Sequence, residues 1–207
     1  MDKEQLEALY AADGYYWGTE PNELARQTVA RLGAAPGARL LDLGAGEGRD
    51  GAYFAAAGYA VLAVDVAANG LRKAVKLAAQ RGVRLDTLQG DLNTVRVDGP
   101  FDVVYSIGAL QYVEPARRAE RLAHFQAATA PGGWHALFAF VAHPEVPPAP
   151  DWGRNEHLFE PGELKAYYGG WSVEFEDLTV FDCTSSGVPH RHAAEVLFAR
   201  KPGKGRR

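Results

Sequence analysis

Apolar residues along this chain alternate between short continuous runs and stretches where they recur every three or four positions. Continuous runs are typical of strands buried on both faces, and the longer period is typical of helices that cover a sheet. The pattern predicts strands at 38–43, 59–64, 83–89, 101–106, 134–142, 171–181 and 190–199, and helices at 3–12, 23–32, 49–57, 69–81, 117–130 and 161–168. This alternation predicts an α/β fold, a mostly parallel sheet with helices on both faces.

The last two predicted strands have no helix between them, so we expect them to form a closing antiparallel hairpin. A chain of 207 residues suits one domain. Within residues 1–207 we predict N-terminal helices with a lid loop (1–33), a cofactor-binding core (38–142), a proline-rich linker (143–160), a C-terminal helix with the hairpin (161–201) and a basic tail (202–207).

Composition excludes several classes of protein. The net charge of −4 gives no strong field for polyanions, so we predict no nucleic-acid partner. No apolar run is long enough for a membrane span, and the charged start MDKEQLEALY is unlike a secretory signal, so we predict a cytoplasmic protein. We expect it to be a monomer or a homodimer. The single cysteine, Cys183, cannot form an intrachain disulfide or a thiolate cluster, and no metal site is predicted.

The most informative stretch is LLDLGAGEGRD, residues 40–50, where a predicted strand passes through a glycine-rich turn into a helix. Glycines let the backbone approach a ligand closely, and the helix N-terminus offers N–H groups for an anion. The spacing of Gly44, Gly46 and Gly48 is G-x-G-x-G. The dinucleotide fingerprint is G-x-G-x-x-G, and Arg49 stands where its third glycine would be.

Acidic residues end the first three predicted strands. Asp65, which closes VLAVD about twenty residues beyond Gly44, is placed to accept hydrogen bonds from both hydroxyls of a ribose. Asp91, in LQGDLN, is placed to accept from an adenine amino group, and Asp42 either binds the cofactor's ammonium or caps its own strand. This arrangement indicates an adenosine-containing cofactor, and the glycine spacing favours S-adenosylmethionine over NAD.

These segments resemble four motifs of the class I S-adenosylmethionine-dependent methyltransferases, namely DLGAGEGRD, VLAVD, QGDLN and FDVVYSIGALQYV. The APGG turn, GELKAYYGGW and LFARK extend the resemblance to the tellurite-resistance methyltransferase family. The resemblance implies a Rossmann-like, seven-stranded sheet with an antiparallel last strand, and S-adenosylhomocysteine as product. The glycine-rich turn, the aromatic loop before it and the resemblance together predict the residues that bind the cofactor. These are Trp17, Asp42, Gly44, Ala45, Gly46, Gly48, Arg49, Asp65, Val66, Asp91, Leu92, Ser106 and Ile107.

The chain departs from the tellurite-resistance pattern at two points. Ala45 replaces a frequent cysteine, and Phe181 and Asp182 stand where relatives often carry a His-Arg pair. The second change weakens the case for tellurite itself. A thiol or chalcogen oxyanion is the favoured small-molecule acceptor, and O- or N-methylation of a biosynthetic metabolite is the alternative. A nucleotide-dependent oxidoreductase and a non-catalytic S-adenosylmethionine-binding regulator are more remote readings.

Candidate catalytic residues lie near both ends of the chain. His190 and His192 are two residues apart, so on a strand their side chains share a face. We expect this pair to act as a general base, to orient an oxyanion or to form only a polar surface. For a metal site they would need a third ligand, and His157 is the candidate. The aromatic loop with Tyr15, Tyr16 and Trp17 is a candidate lid, with Tyr16 as a catalytic candidate. Trp152 and His157 of the linker are placed to cover the acceptor.

Overall fold

A computed structural model describes residues 1–33, 35–150, 152–184 and 187–203. Asp151 of the predicted linker and the last four residues of the predicted tail lie outside the described residues. The helices are α1 (Lys3–Ala11), α2 (Glu23–Leu32), α3 (Arg49–Ala56), α4 (Ala68–Gln80), α5 (Arg118–Ala127) and α6 (Glu163–Ala166). The strands are β1 (Arg39–Leu43), β2 (Ala60–Asp65), β3 (Asp86–Gln89), β4 (Phe101–Ser106), β5 (Thr129–Phe140), β6 (Ser172–Cys183) and β7 (His190–Arg200).

The strands form one seven-stranded sheet in the order β3-β2-β1-β4-β5-β7-β6. Strands β1 to β5 pair in parallel, whereas β7 runs antiparallel to both of its neighbours. The predicted fold and the closing hairpin are therefore confirmed. Because β7 is reversed, its N-terminal end lies beside the carboxyl ends of the parallel strands, and all of them meet at one edge of the sheet.

Alternating residues of β1 pack on opposite faces of the sheet. Leu40 joins a cluster with Phe54 of α3 and Leu77 of α4. Leu41 joins a second cluster with Phe125 of α5. Helices therefore cover both faces, as the long apolar runs predict, and only the edges of the sheet are left for a ligand.

Several predicted element boundaries are wrong, including the start of β3, which is Asp86 rather than residue 83. The helix predicted at 117–130 ends at Ala127 because Thr129 already pairs with Phe101 of β4. The APGG turn then lies inside β5 as a bulge, since the next pair in the register is Val103 with Trp134. The helix predicted at 161–168 is also shorter, because α6 comprises only the four residues Glu163–Ala166.

Within the described part of the chain, no helix combines the length and the apolar character needed to cross a membrane.

Candidate active site

A cavity of about 620 Å³ opens at the edge where the carboxyl ends of the parallel strands meet. This volume lies within the range of roughly 300–1,000 Å³ that is usual for small-molecule and cofactor sites. Its walls include the glycine-rich turn after β1, the end of β2, the segment after β3 and, on the far side, residues of β5, β6 and β7. One continuous space therefore connects the predicted cofactor residues with the hairpin.

The glycine-rich turn needs its glycines for two reasons. Gly44 and Gly48 have φ angles of 75° and 80°, a region that side chains other than glycine avoid. A Cβ on Gly44 would also lie 2.1 Å from the Cβ of Ala109, and one on Gly48 would lie 2.3 Å from that of Ala74. The turn is thus packed tightly against its neighbours, and its open side faces the cavity.

The Asp65 carboxylate fixes the position of this turn. Its two oxygens accept hydrogen bonds from the backbone N–H groups of Gly46 and Ala67, each at 2.8 Å. Burial raises the pKa of Asp65, although these two hydrogen bonds act in the opposite direction. A carboxylate has about four lone-pair sites, so Asp65 keeps acceptor capacity toward the cavity.

Asp42 is a buried carboxylate at the end of β1 and is only 3 % exposed. Its Oδ2 atom has no hydrogen-bond partner among the described residues. Burial, followed by repulsion from Asp50 and Asp65, raises the pKa of Asp42 well above its usual range. A cationic ligand group would relieve both penalties, and the ammonium of a methionyl moiety is such a group.

The candidate lid loop, residues 12–18, is attached to the glycine-rich turn through the buried ion pair of Glu47 and Lys73. Glu47 is 2 % exposed, and it accepts from the backbone N–H of Trp17 at 3.1 Å and from Lys73 Nζ at 2.8 Å. Lys73 also donates to the carbonyl groups of Ala12 and Gly14. The sequence analysis missed Glu47 and Lys73 because their roles depend on a loop that is distant in sequence.

The Trp17 side chain anchors the same loop. Its indole Nε1 donates to the Tyr10 hydroxyl at 3.0 Å, and the backbone carbonyl of Trp17 accepts a hydrogen bond from the Arg49 guanidinium at 2.8 Å. Tyr16, by contrast, is 44 % exposed and lies outside the cavity wall, with its ring edge-on to Trp17. The lid therefore presents Trp17 rather than Tyr16 to the cavity.

The far end of the cavity, here called the acceptor chamber, is aromatic. The His192 ring lies 4.7 Å from the ring of Phe140, 5.2 Å from that of Trp152 and 5.7 Å from that of Phe181. Phe138 and Cys183 complete the chamber wall. The sequence analysis singled out His192 and Trp152, but it missed the phenylalanines as wall residues, although Phe138 and Phe140 alternate on one face of a predicted strand.

Most of the predicted site residues lie on the cavity wall, namely Trp17, Asp42, Gly44, Ala45, Gly46, Arg49, Asp65, Val66, Asp91, Leu92, Ile107, His157 and His192. Gly48 lies behind the wall, against α4. His190 also lies outside it, 2.9 Å from His192 through their Nε2 atoms. Ser106 also lies outside the cavity wall, is fully buried and donates to the carbonyl of Leu43.

Gln111 is a wall residue that the sequence analysis missed. It is 4 % exposed, and its Oε1 atom has no hydrogen-bond partner among the described residues. Its Nε2 donates to the carbonyl of Gly108 at 2.8 Å, which fixes the orientation of the amide. A buried acceptor of this kind suits a ligand N–H or O–H group.

Comparison with known proteins identifies the family. The family profile described as tellurite resistance protein TehB matches residues 26–182. The chain belongs to the TehB family. The resemblance noted in the four motifs is thereby confirmed, and with it the class I methyltransferase fold.

Individual relatives are more distant. Hemagglutinin 1 of Eikenella corrodens is 25% identical over 168 residues, which are 80% of this chain and 55% of that protein. A probable S-adenosyl-L-methionine-dependent methyltransferase TehB of Haemophilus influenzae (strain 10810) is 26% identical over 134 residues, which are 64% of this chain and 46% of the relative. The chain thus spans about half the length of these relatives. The crystal structure of TehB from Haemophilus influenzae superposes with a TM-score of 0.76 at 19% identity, and covers 96% of this chain and 66% of that one.

Proposed function

We propose that this protein transfers a methyl group from S-adenosylmethionine to a small, uncharged acceptor, with a thiol as the favoured class. The observation that carries the proposal is the continuity of the cavity from the glycine-rich turn to the acceptor chamber. A single cavity that receives both cofactor and acceptor would meet the main requirement of group transfer, which is alignment of the reacting atoms. Family membership supports the same reaction.

The charge of the cofactor end supports S-adenosylmethionine, because the buried Asp42 Oδ2 has no partner among the described residues. We assign the methionyl ammonium to Asp42, the ribose hydroxyls to Asp65 and the adenine amino group to Asp91. When bound, the cofactor supplies a methyl group that its sulfonium sulfur already activates. The contribution of the chain is to hold the two ends of the cofactor and to close Trp17 of the lid over it.

Charge in the cavity argues against an oxyanion as the acceptor. Among the described wall residues, the positive groups are Lys3, Arg49 and the N-terminal ammonium of Met1, which is paired with Glu156. The acidic ones are Asp2, Asp42, Glu47, Asp50, Asp65, Asp91, Glu114 and Glu156. Glu47 is paired with Lys73 and Glu156 with the N-terminus, and the remaining ionised carboxylates attract a sulfonium cation and repel tellurite or selenite.

The aromatic walls of the acceptor chamber favour a soft acceptor. Sulfur makes favourable contacts with aromatic rings, and the chamber offers those of Phe138, Phe140, Trp152 and Phe181. A flat phenol or amine also packs against such rings, so O- or N-methylation is the second candidate. We place His192 in contact with the acceptor in either case, since it lies among three of these rings.

The proposal is tested by release of S-adenosylhomocysteine from purified protein with tellurite, selenite, small thiols, phenols or amines. We expect turnover with thiols, and kcat/KM for the acceptor about 10- to 100-fold lower in Trp152→Ala, because that change removes an aromatic wall. Trp134→Ala is the matched control, since Trp134 lies on β5 outside the cavity. Turnover with the oxyanions alone would contradict the assignment of the chamber, and no turnover with any acceptor would contradict the activity.

A further inference from the structure

The rim of the acceptor chamber carries three potential metal ligands on two neighbouring strands. Cys183 of β6 lies directly opposite His190 of β7 in the antiparallel register. His192 follows two residues later on the same face of β7. The potential ligand atoms of the three side chains all lie within 4.8 Å of one another.

The orientation of His190 is the one that metal ligands adopt. Its Nδ1 lies 2.7 Å from the carbonyl oxygen of Val188, and because a carbonyl only accepts, Nδ1 carries the proton. The Nε2 atom of His190 therefore presents a lone pair toward His192. A hydrogen bond from the second ring nitrogen to a backbone carbonyl is the usual support of a metal-bound histidine.

The contact between the two histidines is also informative. Their Nε2 atoms are 2.9 Å apart, so one of the two nitrogens carries a proton that is directed at the other. A metal ion can replace that proton and bind both nitrogens. Tetrahedral zinc, at about 2.0–2.1 Å from nitrogen and 2.3 Å from sulfur, separates its ligand atoms by roughly 3.3–3.6 Å. Small side-chain rotations are enough to reach that geometry from the present one.

The set of ligands selects the class of metal. Imidazole and thiolate suit zinc and related divalent ions, whereas magnesium and calcium prefer carboxylate and carbonyl oxygens. Three protein ligands leave a fourth position open, as in catalytic rather than structural zinc sites. Cys183 and His192 both line the cavity, so the open position faces the acceptor chamber. The rings of Phe140, Trp152 and Phe181 provide an apolar surround for the ion.

We propose that Cys183, His190 and His192 bind a zinc-class divalent cation whose fourth ligand is the sulfur of a thiol acceptor. The acceptor role rests on the proposed function, whereas the metal site itself does not. On binding the ion, the thiol loses its proton to water. The sulfur then forms a bond to the methyl carbon as the carbon–sulfonium bond breaks, and S-adenosylhomocysteine leaves with that electron pair. The products are the methyl thioether, S-adenosylhomocysteine and one proton.

The TehB profile ends at residue 182, one position before Cys183, so the matched region does not contain this group of ligands. The sequence analysis named His157 as the third ligand and treated the single cysteine as unable to build a metal site. The structure offers Cys183 instead, because the β6–β7 register brings it opposite His190.

The site is tested by titrating the tag-free, chelator-treated protein with Co²⁺ and recording its absorption spectrum. We expect one Co²⁺ per chain, a thiolate-to-cobalt charge-transfer band and the intense visible bands of a tetrahedral ion. Cys183→Ser should remove the charge-transfer band, and His190→Ala and His192→Ala should each weaken Co²⁺ binding at least 100-fold. His143→Ala is the matched control, because His143 belongs neither to the group nor to the cavity wall.

Cys183 and His190 are only partly buried, so their variants keep the test valid if His192→Ala does not fold. Equal Co²⁺ affinity in all variants, or a charge-transfer band that persists in Cys183→Ser, would overturn the site. Addition of ethanethiol should shift that band, and no shift would overturn the acceptor role. Cobalt binding without methylation of any acceptor would refute the proposed function alone, whereas thiol methylation that is unchanged by chelators would refute the metal's part in it.

Discussion

The two ends of the cavity are built in different ways. At the cofactor end, the principal groups lie at the ends of β1 and β2 or in the short segments that follow β1 and β3, and they include the glycine-rich turn, whose Gly46 N–H is bound by Asp65. At the acceptor end, residues from β5, the linker, β6 and β7 meet, and the rings of Phe140, Trp152, Phe181 and His192 pack against one another. The cofactor end is part of the fold itself and therefore suits a ligand that does not change, such as a cofactor. The acceptor end can change its ligand by substitution without disturbing the sheet.

The largest expected effect comes from breaking the cofactor end at Gly44. In Gly44→Ala the added Cβ overlaps Ala109 and the residue keeps a φ of 75°. Strain and overlap of about 1–3 kcal/mol should weaken S-adenosylhomocysteine binding by up to roughly 100-fold, as measured by calorimetry. Gly37→Ala has the same backbone strain without an overlap, since no atom lies within 4 Å of its Cβ. Equal binding by the two variants would refute the role of the turn as the cofactor's cradle.

Asp42→Asn should have the next largest effect, because an amide cannot neutralise an ammonium. We expect S-adenosylmethionine binding to weaken about tenfold, which is the usual difference between charged and neutral hydrogen bonds. The KM of the acceptor at saturating cofactor should not change. Asp102→Asn is the control, since Asp102 binds the backbone of Arg39 away from the cavity. Unchanged affinity in Asp42→Asn would exclude contact between Asp42 and the ammonium.

The same carboxyl group should make stability depend on pH. The pKa values of Asp42, Asp50 and Asp65 are all raised from 3.8, so these three groups bind more protons in the folded chain than in the unfolded chain. Burial lowers the pKa of His135 to about 3, and this histidine acts in the opposite direction below pH 6.5. Without cofactor, the stability contributed by these three carboxyl groups should therefore fall as the pH rises above about 4 and through their folded pKa values. Asp42→Asn should flatten this dependence in thermal unfolding measurements between pH 4 and about 8. The same pH dependence in the unchanged protein and in Asp42→Asn would contradict a raised pKa of Asp42.

The smallest expected effect concerns the lid. Trp17→Phe removes the neutral hydrogen bond to Tyr10 and leaves an aromatic ring. A bond of this kind contributes about 0.5–1.5 kcal/mol, so the KM for S-adenosylmethionine should rise roughly 2- to 10-fold. Trp134→Phe, outside the cavity, should have no effect on KM. A larger effect on the KM of the acceptor than on that of the cofactor would place Trp17 in the acceptor chamber.

The sequence by itself determined the fold and most of the cofactor end. Continuous apolar runs between helices permit few arrangements other than a covered parallel sheet, and the carboxyl ends of parallel strands meet at one edge whatever the details of packing. For this reason Gly44, Asp65 and Asp91 could be brought together from their positions after successive strands.

Tertiary structure alone decided the rest. Loop conformation and helix packing, which no local pattern encodes, determine three features of the site. These are the Asp42 Oδ2 atom without a partner among the described residues, the Glu47–Lys73 ion pair and the aromatic acceptor chamber. Cys183 comes opposite His190 only through the register of β6 and β7, and a shift of one residue would turn the side chains to the other face. Contacts within one segment can be read from residue spacing, whereas contacts between distant segments are set by the packing that brings those segments together.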